Sequence, residues 1–277
     1  MGASIDALVC GRAAVSTVKG LDDPARVVDM TELTDRDRVR YSRQILMDGI
    51  GEEGQERLSS STVGVFGVGG LGSPAAMYLA SAGVGRLILA DPQVPDLSNL
   101  NRQVLHWERD VEGGTSKARS AAEKLGEMNR DIDIRACEVL VDGDNIAEVF
   151  GEADLVVDCL DDFTPRYSLN AFCLREGKPF VHAAVEGFSG QITTIVPGET
   201  PCLACVFPSP PPRKEVFPIL GATAGVFGSL EAAEAVKLIT GAGNTLASRL
   251  LIGDLLNQHW DFIEVFPADT CRVCGVE

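Results

Sequence analysis

The stretch Thr62 to Pro92, TVGVFGVGGLGSPAAMYLASAGVGRLILADP, decides how the rest of the chain is read. It opens with a β-rich run, breaks at Gly67-Val68-Gly69-Gly70-Leu71-Gly72, continues through a helical segment of small residues, and closes with a second β-rich run from Val84 to Ala90. This is a β-turn-α-β unit with G-x-G-x-x-G at the strand-to-helix turn, the context a nucleotide-binding loop requires. Glycines permit the tight turn and let phosphate approach the backbone, while the N–H groups opening the helix favour an anion. Asp91 ends the second run, where a carboxylate accepts bonds from ribose hydroxyls. Gly67, Gly69, Gly70, Gly72 and Asp91 are therefore the candidate nucleotide contacts; the alternative is a glycine turn needed only for packing.

Working outward, strands and helices keep alternating. A polar helix is expected over Ser116 to Met128, strands at Ile132 to Val139, Leu155 to Cys159 and Pro179 to Ala184, and a helix after Asp162. Such alternation implies an α/β fold, a Rossmann-like and mostly parallel sheet with helices on both faces. Beyond Gly190 the character changes to an antiparallel extension, with strands at Gln191 to Val196 and Leu250 to Asp254, a helix at Gly221 to Thr240, and an irregular crossover from Phe207 to Pro218. Upstream, Thr34 and Asp35 cap an expected helix that carries Arg40, Tyr41, Arg43 and Gln44 and places Val39, Ile45 and Leu46 along it. Residues 1–30 read as an appendage and 31–277 as one sheet-based unit.

Composition limits the partners. The chain has 277 residues, 45% of them hydrophobic and 23% charged, which suits a globule with a real core. Its net charge of −16 argues against nucleic acid and anionic membrane surfaces as partners. Asp6 and Arg12 interrupt the only stretch where a signal sequence would lie, so a cytoplasmic protein is expected.

The choice of nucleotide rests on residues beyond the first unit. Ser98-Asn99-Leu100-Asn101-Arg102-Gln103 follows Asp91 closely, Lys117 opens the next helix, and the strand at Leu155 ends in Asp158-Cys159-Leu160-Asp161-Asp162. Ligands bind at the carboxyl ends of strands in such sheets, so Arg102, Lys117 and the acidic pair should converge on the glycine loop. Hydride transfer has little use for so many cations, whereas a polyphosphate is offset by Arg and Lys and a strand-end carboxylate can hold Mg2+.

Eight cysteines are too few for a disulfide scaffold, and four of them form Cys202-Leu203-Ala204-Cys205 and Cys271-Arg272-Val273-Cys274. Two C-x-x-C pairs can give four thiolates to a tetrahedral Zn2+, a closed site with a structural role that clips a distant segment onto the middle of the chain. A redox motif is the alternative, discounted because neither pair is expected to open a helix after a strand. Cys10, Cys137, Cys159 and Cys173 read as small buried hydrophobes, and His106, His182 and His259 as structural.

These motifs together resemble the MoeB/ThiF/HesA family, ubiquitin-activating-enzyme-like adenylyltransferases that activate small sulfur-carrier proteins. The likeness runs from about Thr31 to Gly275 and includes Arg40 to Gln44, the glycine loop, Ser98 to Gln103, Lys117, Asp158 to Asp161, Gly190-Gln191, both cysteine pairs and Gly225 to Leu230. It implies ATP- and Mg2+-dependent adenylation of the C-terminal Gly-Gly carboxylate of a ubiquitin-like carrier, with pyrophosphate released, in molybdopterin, thiamine or tRNA-thiolation chemistry. It also implies a homodimer in which Asp91 holds the ribose, Asn99, Arg102 and Lys117 contact phosphates, Asp161 binds Mg2+, and Arg43 reaches into the other subunit's site. A sulfurtransferase or cysteine desulfurase would supply sulfur. Three positions depart from the family pattern: no cysteine lies between Cys205 and Cys271, Gln93 replaces a frequent acidic residue, and Asp162 replaces a frequent Asn. Two other readings stand beside this one, a dinucleotide-dependent oxidoreductase and a non-catalytic, zinc-stabilised nucleotide-binding scaffold.

Overall fold

The computed structural model describes residues 32–210 and 217–275. The appendage 1–30, Cys10 and residues 211–216 of the crossover lie outside the described residues. Eight strands form one sheet: β1 (Thr62–Phe66), β2 (Arg86–Ala90), β3 (Asp133–Cys137), β4 (Leu155–Asp158), β5 (Phe180–Glu186), β6 (Ser189–Ile195), β7 (Arg249–Asp254) and β8 (His259–Glu264), in the order β3-β2-β1-β4-β5-β6-β7-β8. The first five run parallel and the last three antiparallel. The order reverses between β1 and β4, and that crevice is where an open α/β sheet takes its ligand.

The helices are α1 (Asp35–Arg40), α2 (Ser42–Ile45), α3 (Gly51–Ser60), α4 (Gly72–Ala82), α5 (Glu108–Gly113), α6 (Lys117–Met128), α7 (Ile146–Phe150), α8 (Phe163–Glu176), α9 (Leu203–Val206) and α10 (Gly221–Thr240). Alternate residues of the central strands feed two cores. Val63, Val65, Leu87, Leu89 and Val157 pack with Leu79, Leu125 and Phe227 from α4, α6 and α10. Phe66, Ile88, Val156 and Phe180 pack on the opposite face with Phe150, Leu169 and Phe172 from α7 and α8. β4 is buried along its whole length, which explains its unbroken apolar run. Local chemistry sets the starts of helices: the Ser116 hydroxyl accepts the Arg119 N–H at 3.2 Å to cap α6, and Asp162 accepts the Thr164 N–H at 3.0 Å to cap α8. Asp162 thus serves the helix start.

Two expectations are corrected. The helix after Thr34 is not continuous: it breaks at Tyr41 into α1 and α2, with Val39 78% and Leu46 75% exposed and Tyr41 buried instead. The Tyr41 hydroxyl accepts from Asn129 Nδ2 at 3.0 Å, a tertiary contact that outweighs helical period. The first cysteine pair does open a helix, with Cys202 at the N-cap of the four-residue α9. Among the described residues, no helix is long and apolar enough to cross a membrane.

Candidate nucleotide site and cysteine cluster

The loop between β1 and α4 is shaped by close backbone approach. Gly67 has φ +90°, and a Cβ there would stand 2.9 Å from the Cys159 carbonyl oxygen; at Gly72 it would stand 2.0 Å from the Gly67 oxygen. Only glycine fits either place. The buried Asp91 carboxylate accepts the Val68 N–H on Oδ2 and the Gln93 N–H on Oδ1, each at 2.9 Å. Each oxygen keeps lone-pair capacity for a diol.

Several of the charged residues lie near one another. Lys117 donates through its N–H to the Gln93 carbonyl at 2.8 Å and through Nζ to Gln93 Oε1 at 2.6 Å, so Gln93 orients the lysine. Burial holds the Lys117 ammonium below its ordinary value, opposed by the fields of Asp91 and Asp161 and reinforced by Arg102. All four therefore share one electrostatic environment at the strand ends. The Arg102 stem lies 3.6 Å from where a Cβ on Gly70 would be, and its Nη1 donates to Ser98 O at 2.9 Å and Asn101 Oδ1 at 3.2 Å. Asn99 ends a short turn whose Asp96 and Asn99 cap one another, Asn99 Oδ1 accepting the Asp96 N–H at 3.4 Å. Asp161 is exposed in the turn after β4. Arg43 is not brought to this loop: Gln44 beside it donates to Ala82 O at 3.0 Å, placing α2 at the far end of α4, about 15 Å from the helix start.

Gln103, the last residue of the Ser98 to Gln103 segment, gains a place that its spacing did not suggest. It is buried against the loop, its Nε2 3.4 Å from where a Cβ on Gly69 would be, and its Oε1 has no partner. A buried polar atom without a partner is uncommon, and this one belongs to a side chain that borders the glycine loop. A second group missed by sequence reading lies beneath the turn that carries Asp161. Buried Asp158 accepts from His182 Nδ1 at 2.7 Å and pairs with Arg166 at 3.4 Å, while Arg166 donates to Leu160 O and, at 2.9 Å, to Ala183 O. The Cys159 thiol donates to Glu231 Oε2 at 3.4 Å, and burial, with the charges of Glu231 and Asp158, pushes it well above the ordinary thiol range. Cys159 is therefore inert, as are Cys137 and Cys173, both buried.

The four remaining cysteines meet. Cys202 Sγ lies 3.8 Å from Cys205 Sγ and 3.7 Å from Cys271 Sγ, and Cys205 Sγ lies 3.5 Å from Cys274 Sγ. Four sulfurs within 4.8 Å of one another match the separation of about 3.8 Å that a tetrahedral thiolate site imposes. The second pair folds onto the first, so the redox reading of an isolated C-x-x-C loses its basis even though α9 begins at Cys202.

A mostly parallel sheet with a glycine loop at its switch point, a carboxylate and two cations near the loop and a cluster of four sulfurs defines an α/β protein with a candidate nucleotide site. The chain belongs to the ThiF family, whose model matches residues 41–274. It is similar to the SAMP-activating enzyme E1 of Haloferax volcanii, 44% identical over 241 residues and covering 85% of this chain and 88% of that one. It is 38% identical over 247 residues to the sulfur carrier protein ThiS adenylyltransferase of Escherichia coli, covering 88% of this chain and 97% of that one. Among solved structures, Escherichia coli MccB with ATP superposes with a TM-score of 0.75 at 25% identity, covering 85% of this chain and 74% of that one.

Proposed function

We propose that this chain is an ATP-dependent adenylyltransferase acting on the C-terminal Gly-Gly carboxylate of a ubiquitin-like sulfur-carrier protein. The observation that carries the reading is the meeting of Asp91, Arg102, Lys117 and Asp161 around the glycine loop, a distribution suited to ribose and polyphosphate. A carrier carboxylate oxygen attacks the α-phosphorus, the bond to the β-phosphate oxygen breaks, and pyrophosphate leaves with the electron pair. The nucleophile is ionised at neutral pH, so no general base is needed and the residues act by positioning and charge stabilisation. Asp91 accepts the ribose hydroxyls, Asn99, Arg102 and Lys117 hold phosphate oxygens, and Asp161 offers an exposed carboxylate to Mg2+, which would supply charge neutralisation at the phosphates.

Arg43, remote from the loop of its own chain, reaches the loop of a second copy in a homodimer. Cys202, Cys205, Cys271 and Cys274 would hold Zn2+ through four thiolates, a set that would give the ion a structural role. The buried, oppositely engaged state of Cys159 and the lack of a cysteine between Cys205 and Cys271 favour adenylation alone, with sulfur supplied by a sulfurtransferase or cysteine desulfurase for molybdopterin, thiamine or tRNA thiolation. The test is pyrophosphate exchange into ATP with and without candidate carriers: exchange that needs a carrier with a free C-terminus supports the reading, and exchange indifferent to every carrier, or tight NAD(H) binding in place of ATP, overturns it.

A further inference from the structure

Behind the glycine loop, on the side away from Asp91, a chain of buried polar groups ends on the loop backbone. His106 Nε2 lies 2.7 Å from the Val68 carbonyl oxygen and its Nδ1 lies 2.9 Å from Ser120 Oγ. Lys124 Nζ reaches Ser120 Oγ at 2.7 Å and Asp110 Oδ2 at 2.5 Å. Asp110 in turn accepts the Trp107 N–H at 2.7 Å. His106, Asp110, Ser120, Lys124 and Val68 are all buried.

The chemistry of the two ends sets the direction of every proton between them. A carbonyl oxygen only accepts, so the imidazole carries its hydrogen on Nε2; an ammonium only donates, so Ser120 Oγ accepts from Lys124. In the neutral ring Nδ1 is then an acceptor and the Ser120 hydroxyl points at it, leaving the longer alternative, Leu105 O at 3.4 Å, unused. Burial first, and the nearby Lys117 and Lys124 charges next, hold the imidazole below its ordinary value and keep it neutral, against the pull of the Val68 carbonyl and Asp91.

Val68 is thereby fixed on both sides: its N–H by Asp91 at 2.9 Å and its C=O by His106 at 2.7 Å. In a trans peptide the N–H points opposite the C=O, so holding the Val68 oxygen aims the Gly69 N–H away from His106 and toward the loop mouth. We propose that His106, held as the Nε2–H tautomer by the Val68 carbonyl and oriented by Ser120 and Lys124, is a positioning residue that sets the glycine loop for polyphosphate binding. This rests on the nucleotide-binding reading above, and goes beyond it by assigning the loop's geometry to a relay that runs through Ser120 and Lys124 of α6.

The test compares His106→Leu, His106→Gln and Ser120→Ala with the unaltered protein in carrier-dependent pyrophosphate exchange, alongside the 15N shifts of the His106 ring. Glutamine keeps a donor for Val68 and an acceptor for Ser120; leucine keeps neither. The expected result is a KM for ATP raised about tenfold in His106→Leu with the carrier KM unchanged, and restored to within about threefold in His106→Gln. Ring shifts of the Nε2–H tautomer, with the Nδ1 resonance displaced in Ser120→Ala as its hydrogen bond is lost, complete the expected pattern. A folded His106→Leu with ATP KM within about twofold of the unaltered protein, equal loss in both His106 variants, or a ring in the Nδ1–H form overturns the proposal. Where His106→Leu does not fold, the ring shifts of the unaltered protein decide between the same two outcomes. An unaltered protein that neither exchanges pyrophosphate nor binds ATP instead overturns the underlying reading, while the tautomer measurement still reports on the relay.

Discussion

The parallel half of the sheet and the antiparallel half solve the same problem of holding a strand in different ways. β4 is buried throughout between two helical layers, whereas all six residues of β8 are exposed, and the Trp260 ring packs over Gly253 of β7 and beside Phe227 at 5.9 Å. Burial on both faces fixes the strand ends that carry Asp91 and Asp161, where the candidate site lies. Among the described residues β8 is left exposed at the sheet edge, and the cysteine cluster ties the segment after β8 back to α9. Precision in one half comes from packing; in the other it is delegated to sulfur.

The sharpest way to separate the halves is to remove charge from one and metal from the other. Lys117→Ala should lower carrier-dependent adenylation by about 10²- to 10³-fold while metal content per chain stays unchanged. A loss under tenfold, read by pyrophosphate exchange, would mean that phosphate charge is handled elsewhere.

Next in size is the clip. Cys271→Ser, or prolonged chelation, should release the metal and lower Tm by an amount on the order of 10 °C. Hydrogen exchange should quicken first in β7 and β8 while β1 and β2 amides stay protected. Equal loss of protection in β1 would show the two halves to be a single cooperative unit.

The smallest effect concerns the seam where the halves meet at α10. Burial, with the Asp158 charge adding to it, holds the Glu231 carboxyl well above its ordinary 4.5, against the weaker pulls of Cys159, Arg166 and the Ala183 backbone. Below that pH the group is protonated folded and unfolded alike. As pH rises past it, the unfolded chain releases the proton before the folded one, so the stability linked to Glu231 declines. Glu231→Gln has no such slope, and its stability relative to the unaltered protein should therefore rise between pH 4 and pH 8 in urea titrations. A gap that narrows over that range would mean the folded carboxyl is ionised more readily than the unfolded one.

Much of this was legible in the chain. The run from Thr62 to Asp91 specified β1, α4 and β2 because glycine spacing and β-rich runs are local signals, and α10 was delimited by the same logic at Gly221 and Thr240. β8 was missed: His259-Trp260-Asp261-Phe262 alternates polar and apolar residues, but the alternation stops at Ile263 and the strand lies exposed at the sheet edge, so its signal is only four residues long. The break at Tyr41 escaped for the opposite reason, because the contact that causes it comes from Asn129, far along the chain. In the site, Asp91, Arg102, Lys117 and Asp161 carried motif signals, while Gln103, Arg166 and His106 act through backbone oxygens or buried amides that no spacing rule marks. Gln93 read as a departure, yet its amide is what Lys117 holds.

The approach of Gly67 to the Cys159 carbonyl has a consequence for how the molecule comes into being. β1 pairs with β4 through Val63 and Leu155, so the wall behind the glycine loop belongs to a strand made long after the loop itself. A nascent chain that has emerged only as far as β3 already contains the complete G-x-G-x-x-G sequence, but its Gly67 faces open solvent where Cys159 will stand. The proposed nucleotide seat is therefore unfinished on the partly synthesised protein and is completed only once β4 and the turn after it are in place.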